Sequence, residues 1–183
     1  MSRPLARAVF LDRDGVLNRL VWRDGKPCSP RSVSEFEIDP EAPAALAALR
    51  SAGFKLFVVT NQPDIARGLM SGETLDTIHA ALNAALPVDG IAVCRHDNDD
   101  LCECRKPKPG LLTGLAEAHG LDLGRSVMVG DQDRDIACGR AAGCATVLLG
   151  RSYNTGRGAD RVVSTLSQAI SAILAFSQTT ALT

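Results

Sequence analysis

The chain has 183 residues, 45% of them hydrophobic, with six cysteines and a formal net charge of −1, which is enough apolar material for one globular domain with a full core. Without an extended basic patch or interleaved aromatic platform, nucleic-acid binding has little support. No apolar run reaches transmembrane length or forms a secretory h-region, so a cytoplasmic protein with reduced cysteines is expected.

The first element is Ala8-Val9-Phe10-Leu11, a short continuous apolar run that predicts a strand buried on both faces of a parallel sheet. Such sheets bind ligands outside the carboxyl ends of their strands. Asp12 sits at that edge, and Gly15, free of Cβ restrictions, lets the chain turn so that Asp14 faces the same pocket. Two carboxylates there suggest phosphoryl chemistry, although Asp and Gly also make ordinary turns. Residues 20–40 read as loop. They carry the only tryptophan, Trp22, beside Arg23, placed either at a substrate mouth or as a core plug.

A helix is expected near 41–52, then a strand at 55–59 ending in Thr60-Asn61-Gln62. That hydroxyl and two amides suit phosphate oxygens or the satisfaction of a helix cap. After a helix near 71–86 and a strand at 91–94 comes the densest chemistry, residues 94–110. Cys94-x-His96 and Cys102-x-Cys104 offer four ligands within eleven residues, the composition of a closed tetrahedral zinc site with a structural role; unrelated thiols or a disulfide are the alternatives. The acidic turn between the pairs lacks the glycine and terminal glutamate of a calcium loop. Arg105-Lys106-Pro107-Lys108-Pro109-Gly110 follows as a cationic turn suited to an anion, with Lys108 expected in solvent.

Beyond a helix at 110–119, a strand at 126–130 delivers Asp131, the expected ligand for Mg²⁺, which would screen Asp12 from an incoming phosphate dianion. Asp133 and Asp135 read as first-turn residues of a helix at 134–142. A strand at 145–149, a helix from about Thr165 and a frayed tail from about 178 complete the chain. Cys28, Cys138 and Cys144 read as packing residues, and His79 and His119 as helix-surface histidines. Strands and helices alternate without a linker or repeat, so the expected fold is α/β: a Rossmann-like three-layer sandwich with a mainly parallel sheet, no cap domain and a small zinc-bound loop, in one domain spanning 1–183.

Together, DRDGV at 12–16, TNQ at 60–62, RKPKPG at 105–110 and GDQDRD at 130–135 resemble, in order and spacing, the haloacid dehalogenase superfamily of phosphatases over residues 7–150. The C-x-H and C-x-C pairs and IARG at 65–68 narrow the resemblance to heptose 1,7-bisphosphate 7-phosphatases and their histidinol-phosphatase relatives. The resemblance implies a nucleophilic Asp12, a general acid/base Asp14, phosphate contacts from Thr60 and Lys106, and substrate recognition by Arg105. It also implies Mg²⁺ on Asp12, Asp131 and the Asp14 backbone carbonyl. Asn61, Gln62, Trp22, Arg23 and Gln132 complete the expected substrate-binding set. The chain has Pro63-Asp64 where the heptose enzymes typically have Ser-Gly, and its zinc loop is shorter than in many relatives. A small sugar phosphate is the expected partner, a histidinol phosphate the alternative substrate, and a monomer the expected state. A zinc-containing binding module without catalysis is the reading from another class; the presence of Asp12, Asp14, Thr60, Lys106 and Asp131 argues against it.

Overall fold

In a computed structural model that describes residues 5–179, six parallel strands form one sheet in the order β5-β4-β1-β6-β7-β8. They are β1 Ala8–Leu11, β4 Lys55–Asn61, β5 Gly90–Cys94, β6 Val127–Gly130, β7 Ala145–Leu149 and β8 Arg161–Val163. Alternate residues of β1 enter opposite cores, as the two-residue period of a strand requires. Val9 and Leu11 pack with Leu46 and Leu49 of α1 (Ala42–Ser51) and with Ile170 and Ile173 of α5 (Leu166–Thr179). Ala8 and Phe10 pack on the other face with Leu112 of α3 (Gly110–His119) and Cys138 of α4 (Asp133–Ala141). The result is the expected three-layer α/β sandwich. Burial of Phe10 alone contributes about 1.5–3 kcal/mol.

Sheet order decides where a ligand can sit. The strands run outward from β1 through β4 and β5 on one side and from β6 through β7 and β8 on the other, so the switch point lies between β1 and β6. The remaining long helix is α2 (Gly72–Ala85), whose Ser71 caps it through Thr74 N.

Residues 20–40 are not wholly loop: Val21–Arg23 (β2) and Lys26–Cys28 (β3) pair as an antiparallel hairpin, followed by a single 3-10 turn at Val33–Glu35. The two-residue connection Asp24-Gly25 has φ of 51° and 71°, the positive pair that a type I′ turn needs. The short β8 was also unforeseen. Two of its three residues are exposed, so it has no apolar run to betray it. The helix expected to fray near 178 runs to Thr179, and residues 180–183 lie outside the described residues. Among the described residues, no helix is long and apolar enough to cross a membrane.

Candidate active site and metal centre

Because β4, β1 and β6 are neighbours, Thr60, Asp12 and Asp131 emerge side by side at their carboxyl ends. Asp12 is still tied to β6, its N donating to Val129 O at 2.9 Å. Gly15 turns away at φ 84°, and a Cβ on it would stand 2.1 Å from Asp131 Oδ2, so no other residue fits there. Lys106 arrives from the turn before α3. Asn61 holds that turn in both directions, Nδ2 donating to Lys106 O at 3.1 Å and Oδ1 accepting from Lys106 N at 3.1 Å.

The Lys106 side chain is 1% exposed. Its Nζ donates to Asp12 Oδ1 and Val59 O, each at 2.8 Å, and forms an ion pair with Asp135 Oδ1 at 2.7 Å. Asp12 Oδ1 also accepts from Arg13 N at 2.8 Å, so neither contact uses Oδ2. Asp135 combines two tasks: its Oδ2 accepts from Gln132 N at 3.0 Å, closing the capping box that starts α4, and its Oδ1 faces Lys106.

Asp14 is enclosed by donors. Arg13, wholly buried, grips it through Nε at 3.0 Å and Nη2 at 3.1 Å. Asn18 Nδ2 adds a bond at 3.0 Å, Ser29 Oγ one at 2.9 Å and Gln62 Nε2 one at 2.7 Å. Gln62 also donates to Thr60 Oγ1 at 2.8 Å. Behind this group, His79 Nε2 lies 3.2 Å from Arg13 Nη1; since the guanidinium only donates, that nitrogen accepts. Burial and the Arg13 charge push His79 down to about 4, so it is not the surface histidine its helix suggested.

Four carboxylates surround Lys106 and Arg13. Burial raises Asp12 to about 7; Lys106 opposes the rise, and Asp135, Asp131 and Asp14 add to it. Burial and the Asp135 charge raise Asp131 to about 6 against the Tyr153 hydrogen bond. At Asp14, burial is outweighed by Arg13 and the hydrogen bonds from Asn18, Gln62 and Ser29, which leave it below the ordinary carboxylate value. One oxygen each of Asp12, Asp131 and Asp135 lie within 4.8 Å of one another. Asp131 Oδ1 is buried without a hydrogen-bond partner. Hard oxygen donors short of positive charge, one of them orphaned, fit a divalent cation.

Asp12, Asp14, Asn61, Lys106, Asp131 and Gln132 line a small cleft of about 40 Å³. It adjoins a second of about 230 Å³, with Pro27, Ser29, Asn61 and Arg134 bordering both. The second cleft is lined by Arg31, Arg67, Arg105 and Arg134. Asp64 pairs with Arg31 at 2.7 Å and with Arg67 at 3.4 Å, and Asp97 takes Arg67 at 2.6 Å. Arg105 instead bonds neutral oxygens, Asn98 Oδ1 at 2.6 Å and His96 O at 3.0 Å. Arg134 has no ion-pair partner among the described residues, leaving two cations of the cleft without a carboxylate.

The four-ligand cluster begins at the end of β5. Cys94 Sγ stands 3.6 Å from His96 Nδ1 and 3.9 Å from Cys102 Sγ, and His96 Nδ1 stands 3.3 Å from Cys104 Sγ. A tetrahedron with metal–sulfur bonds of ~2.3 Å has edges of ~3.8 Å, so these side chains can hold one ion. All six cysteines are free. Arg105 and Lys106 follow directly, with the Arg105 side chain bonded back to His96 O and Asn98.

Some expected residues stand elsewhere. Gln62 is fully buried behind Asp14 rather than on a cleft wall. Arg23 ties the hairpin down, pairing with Glu35 and donating to Ser29 O at 2.9 Å, and Trp22 is 59% exposed with its ring edge-on to Tyr153. Neither lines the two clefts, and Trp22 is no core plug. Arg13, Asn18, Tyr153 and Arg134 were not anticipated, and Asp135, expected in the first turn of α4 and found there, also pairs with Lys106, which was not. The available signal for Asp135 was its place three residues after Gln132, the N3 position of a capping box; its contact with Lys106 left no mark in the sequence.

A family model described as HAD-hydrolase-like matches residues 103–169. The D-glycero-beta-D-manno-heptose-1,7-bisphosphate 7-phosphatase of Pseudomonas aeruginosa is 37% identical over 163 residues, 86% of this chain and 85% of that protein. The corresponding alpha-named enzyme of Mycobacterium bovis is 36% identical, covering 81% of this chain and 82% of its own. The crystal structure of the D,D-heptose 1,7-bisphosphate phosphatase of B. bronchiseptica, complexed with magnesium and phosphate, superposes with a TM-score of 0.77 at 33% identity, over 92% of this chain and 98% of that one.

Proposed function

The chain belongs to the haloacid-dehalogenase-like phosphatases, and from that premise we propose that it removes the 7-phosphate of D-glycero-D-manno-heptose 1,7-bisphosphate through an aspartyl-phosphate. The arginine cleft joined to the carboxylate cleft carries this reading. One phosphate needs only Lys106 and a cation. Arg105 and Arg134, without carboxylate partners, supply the charge for a second. Histidinol phosphate offers one phosphate and a cationic amine, which the same guanidiniums would repel.

In the proposed reaction Asp12 Oδ2 attacks phosphorus while the bond to the sugar oxygen breaks. Asp14 gives its proton to that oxygen, then takes one from the water that attacks phosphorus and frees Asp12. Asp14 starts as a carboxylate; a phosphate dianion beside it adds like charge and raises its proton affinity, so it takes up a proton from solvent as the substrate binds, and this is the proton it then gives. Lys106 and Thr60 stabilise the transferring oxygens. Asp12, Asp131 and the Asp14 carbonyl would hold Mg²⁺, which when bound offsets phosphate charge. Zinc on Cys94, His96, Cys102 and Cys104 would pin the loop that aims Arg105 and Lys106.

Side-by-side kinetics test the assignment with the heptose bisphosphate, histidinol phosphate and a small generic ester. The bisphosphate should have the highest kcat/KM. Arg105→Ala should lower that value roughly 10- to 100-fold, the loss of a charge-assisted hydrogen bond, and hurt the generic ester less. A preference for histidinol phosphate would overturn the substrate.

A further inference from the structure

Three successive residues after β7 grip the turn that carries Asp131. Tyr153 OH donates to Asp131 Oδ2 at 2.6 Å; Asn154 Nδ2 donates to Asp131 O at 2.7 Å and Leu149 O at 2.8 Å; Thr155 Oγ1 donates to Asp133 Oδ2 at 2.9 Å. Asp131 Oδ2 is confined from the other side by Gly15, since a Cβ there would stand 2.1 Å from it. The carboxylate therefore cannot turn freely about its own axis. Its second oxygen, Oδ1, is the buried one that lacks a partner.

We propose that Tyr153 is a positioning residue for the metal-assisted reaction: by occupying Asp131 Oδ2 it presents Oδ1, and no other geometry, to the divalent cation. This rests on the Mg²⁺ reading of the site. A carboxylate ligand that must be found in one rotamer costs affinity, and a hydrogen bond to its far oxygen removes that cost in advance. Asn154 fixes the backbone of the same residue, so Asp131 is held at both its carbonyl and its carboxylate. The phenol is the donor of this pair, because a carboxylate oxygen only accepts. The Tyr153 ring also meets Trp22 edge-on, at 6.3 Å between centroids, which links the support of the metal ligand to the β2–β3 hairpin.

Tyr153→Phe separates these contributions, since it deletes the hydroxyl and keeps the ring against Trp22. Mg²⁺ affinity is measured by calorimetry without substrate, and phosphate release is followed against Mg²⁺ concentration. The variant should bind Mg²⁺ roughly tenfold or more weakly, the scale on which outer partners of metal ligands act. Its turnover should recover to within a few-fold of wild type when Mg²⁺ saturates, and its metal-free melting temperature should stay close to wild type. Trp22→Ala, which removes the ring contact and keeps the hydroxyl, should leave Mg²⁺ affinity within about twofold. Wild-type Mg²⁺ affinity in Tyr153→Phe, or an equal loss in Trp22→Ala, would overturn the role of the hydroxyl. Wild-type protein that binds no Mg²⁺ would overturn the metal reading together with it.

Discussion

Lys106→Met keeps an unbranched side chain of similar reach and deletes the one ammonium between Asp12 and Asp135. The lost contacts are those at 2.8 Å and 2.7 Å, made by a side chain 1% exposed. Removing one member of a buried ion pair costs about 3–5 kcal/mol because the partner is stranded. Here the stranded carboxylates can escape part of that cost by taking up a proton. Asp12, raised to about 7 even with Lys106 present, rises further without it. The native state then binds more protons than the unfolded chain across the neutral range, so stability falls as pH rises. The low end of the range belongs to pH ~6 and the high end to pH ~8. At about 2–4 °C per kcal/mol for a chain of this size, the melting temperature should drop by roughly 6–12 °C at the lower pH and 10–20 °C at the higher. Thermal denaturation of both proteins at the two pH values, in chelator, measures this; phosphate release should be lost at either. An equal drop at both pH values would refute the electrostatic argument, and near-normal turnover would refute the placement of Lys106 beside the reacting group.

Asp12→Asn should fold with a melting temperature no lower than wild type, since a buried, charge-crowded carboxylate becomes neutral, while phosphate release falls below about a thousandth; a residual rate near wild type would end the covalent route. Cys102→Ser should lose its metal by elemental analysis and melt lower, with KM for the sugar phosphate raised more than kcat is lowered; metal-replete wild-type protein without stoichiometric zinc would refute the assignment. In metal-free wild type, Asp12 and Asp131 are raised, to about 7 and about 6, so folding takes up protons between pH ~4 and ~7 and stability should fall as pH rises through that window. Added Mg²⁺ should reduce the slope in melts across that window, and a slope of opposite sign would show the carboxylates to be better compensated than argued.

The central strands were legible because each holds an uninterrupted apolar run, and Asp12, Thr60 and Asp131 are the polar residues at which those runs stop, Thr60 still within β4. Cys94, His96, Cys102 and Cys104 were legible as a group because two closely spaced ligand pairs of zinc-site composition fall within eleven residues. The hairpin had a signal that went unused: Asp24-Gly25 between Trp22-Arg23 and Lys26-Pro27 is a two-residue turn, but Lys, Pro and Arg hide strands of three residues. Arg13 carried no signal of its own in the sequence, and only the turn after β1, which buries it completely, makes it the clamp on Asp14. Tyr153 and Asn154 had no pattern at all. Their partners lie 22 and 23 positions away, so their role exists only once β6 and β7 are paired.

The two adjoining clefts are built from parts of unequal permanence. Asp12, Thr60 and Asp131 stand on or just past strands whose amides are locked on both sides by neighbours, whereas Pro27, Ser29, Arg31, Asn98 and Arg105 stand on a two-strand ribbon, its exit and the loop that carries Cys94, His96, Cys102 and Cys104. Amide exchange should accordingly be slowest beneath the phosphate-transferring end and fastest around the arginines. Changes in the ribbon and the loop can therefore alter which esterified alcohol is held without disturbing the strand-borne floor proposed to break the phosphorus–oxygen bond.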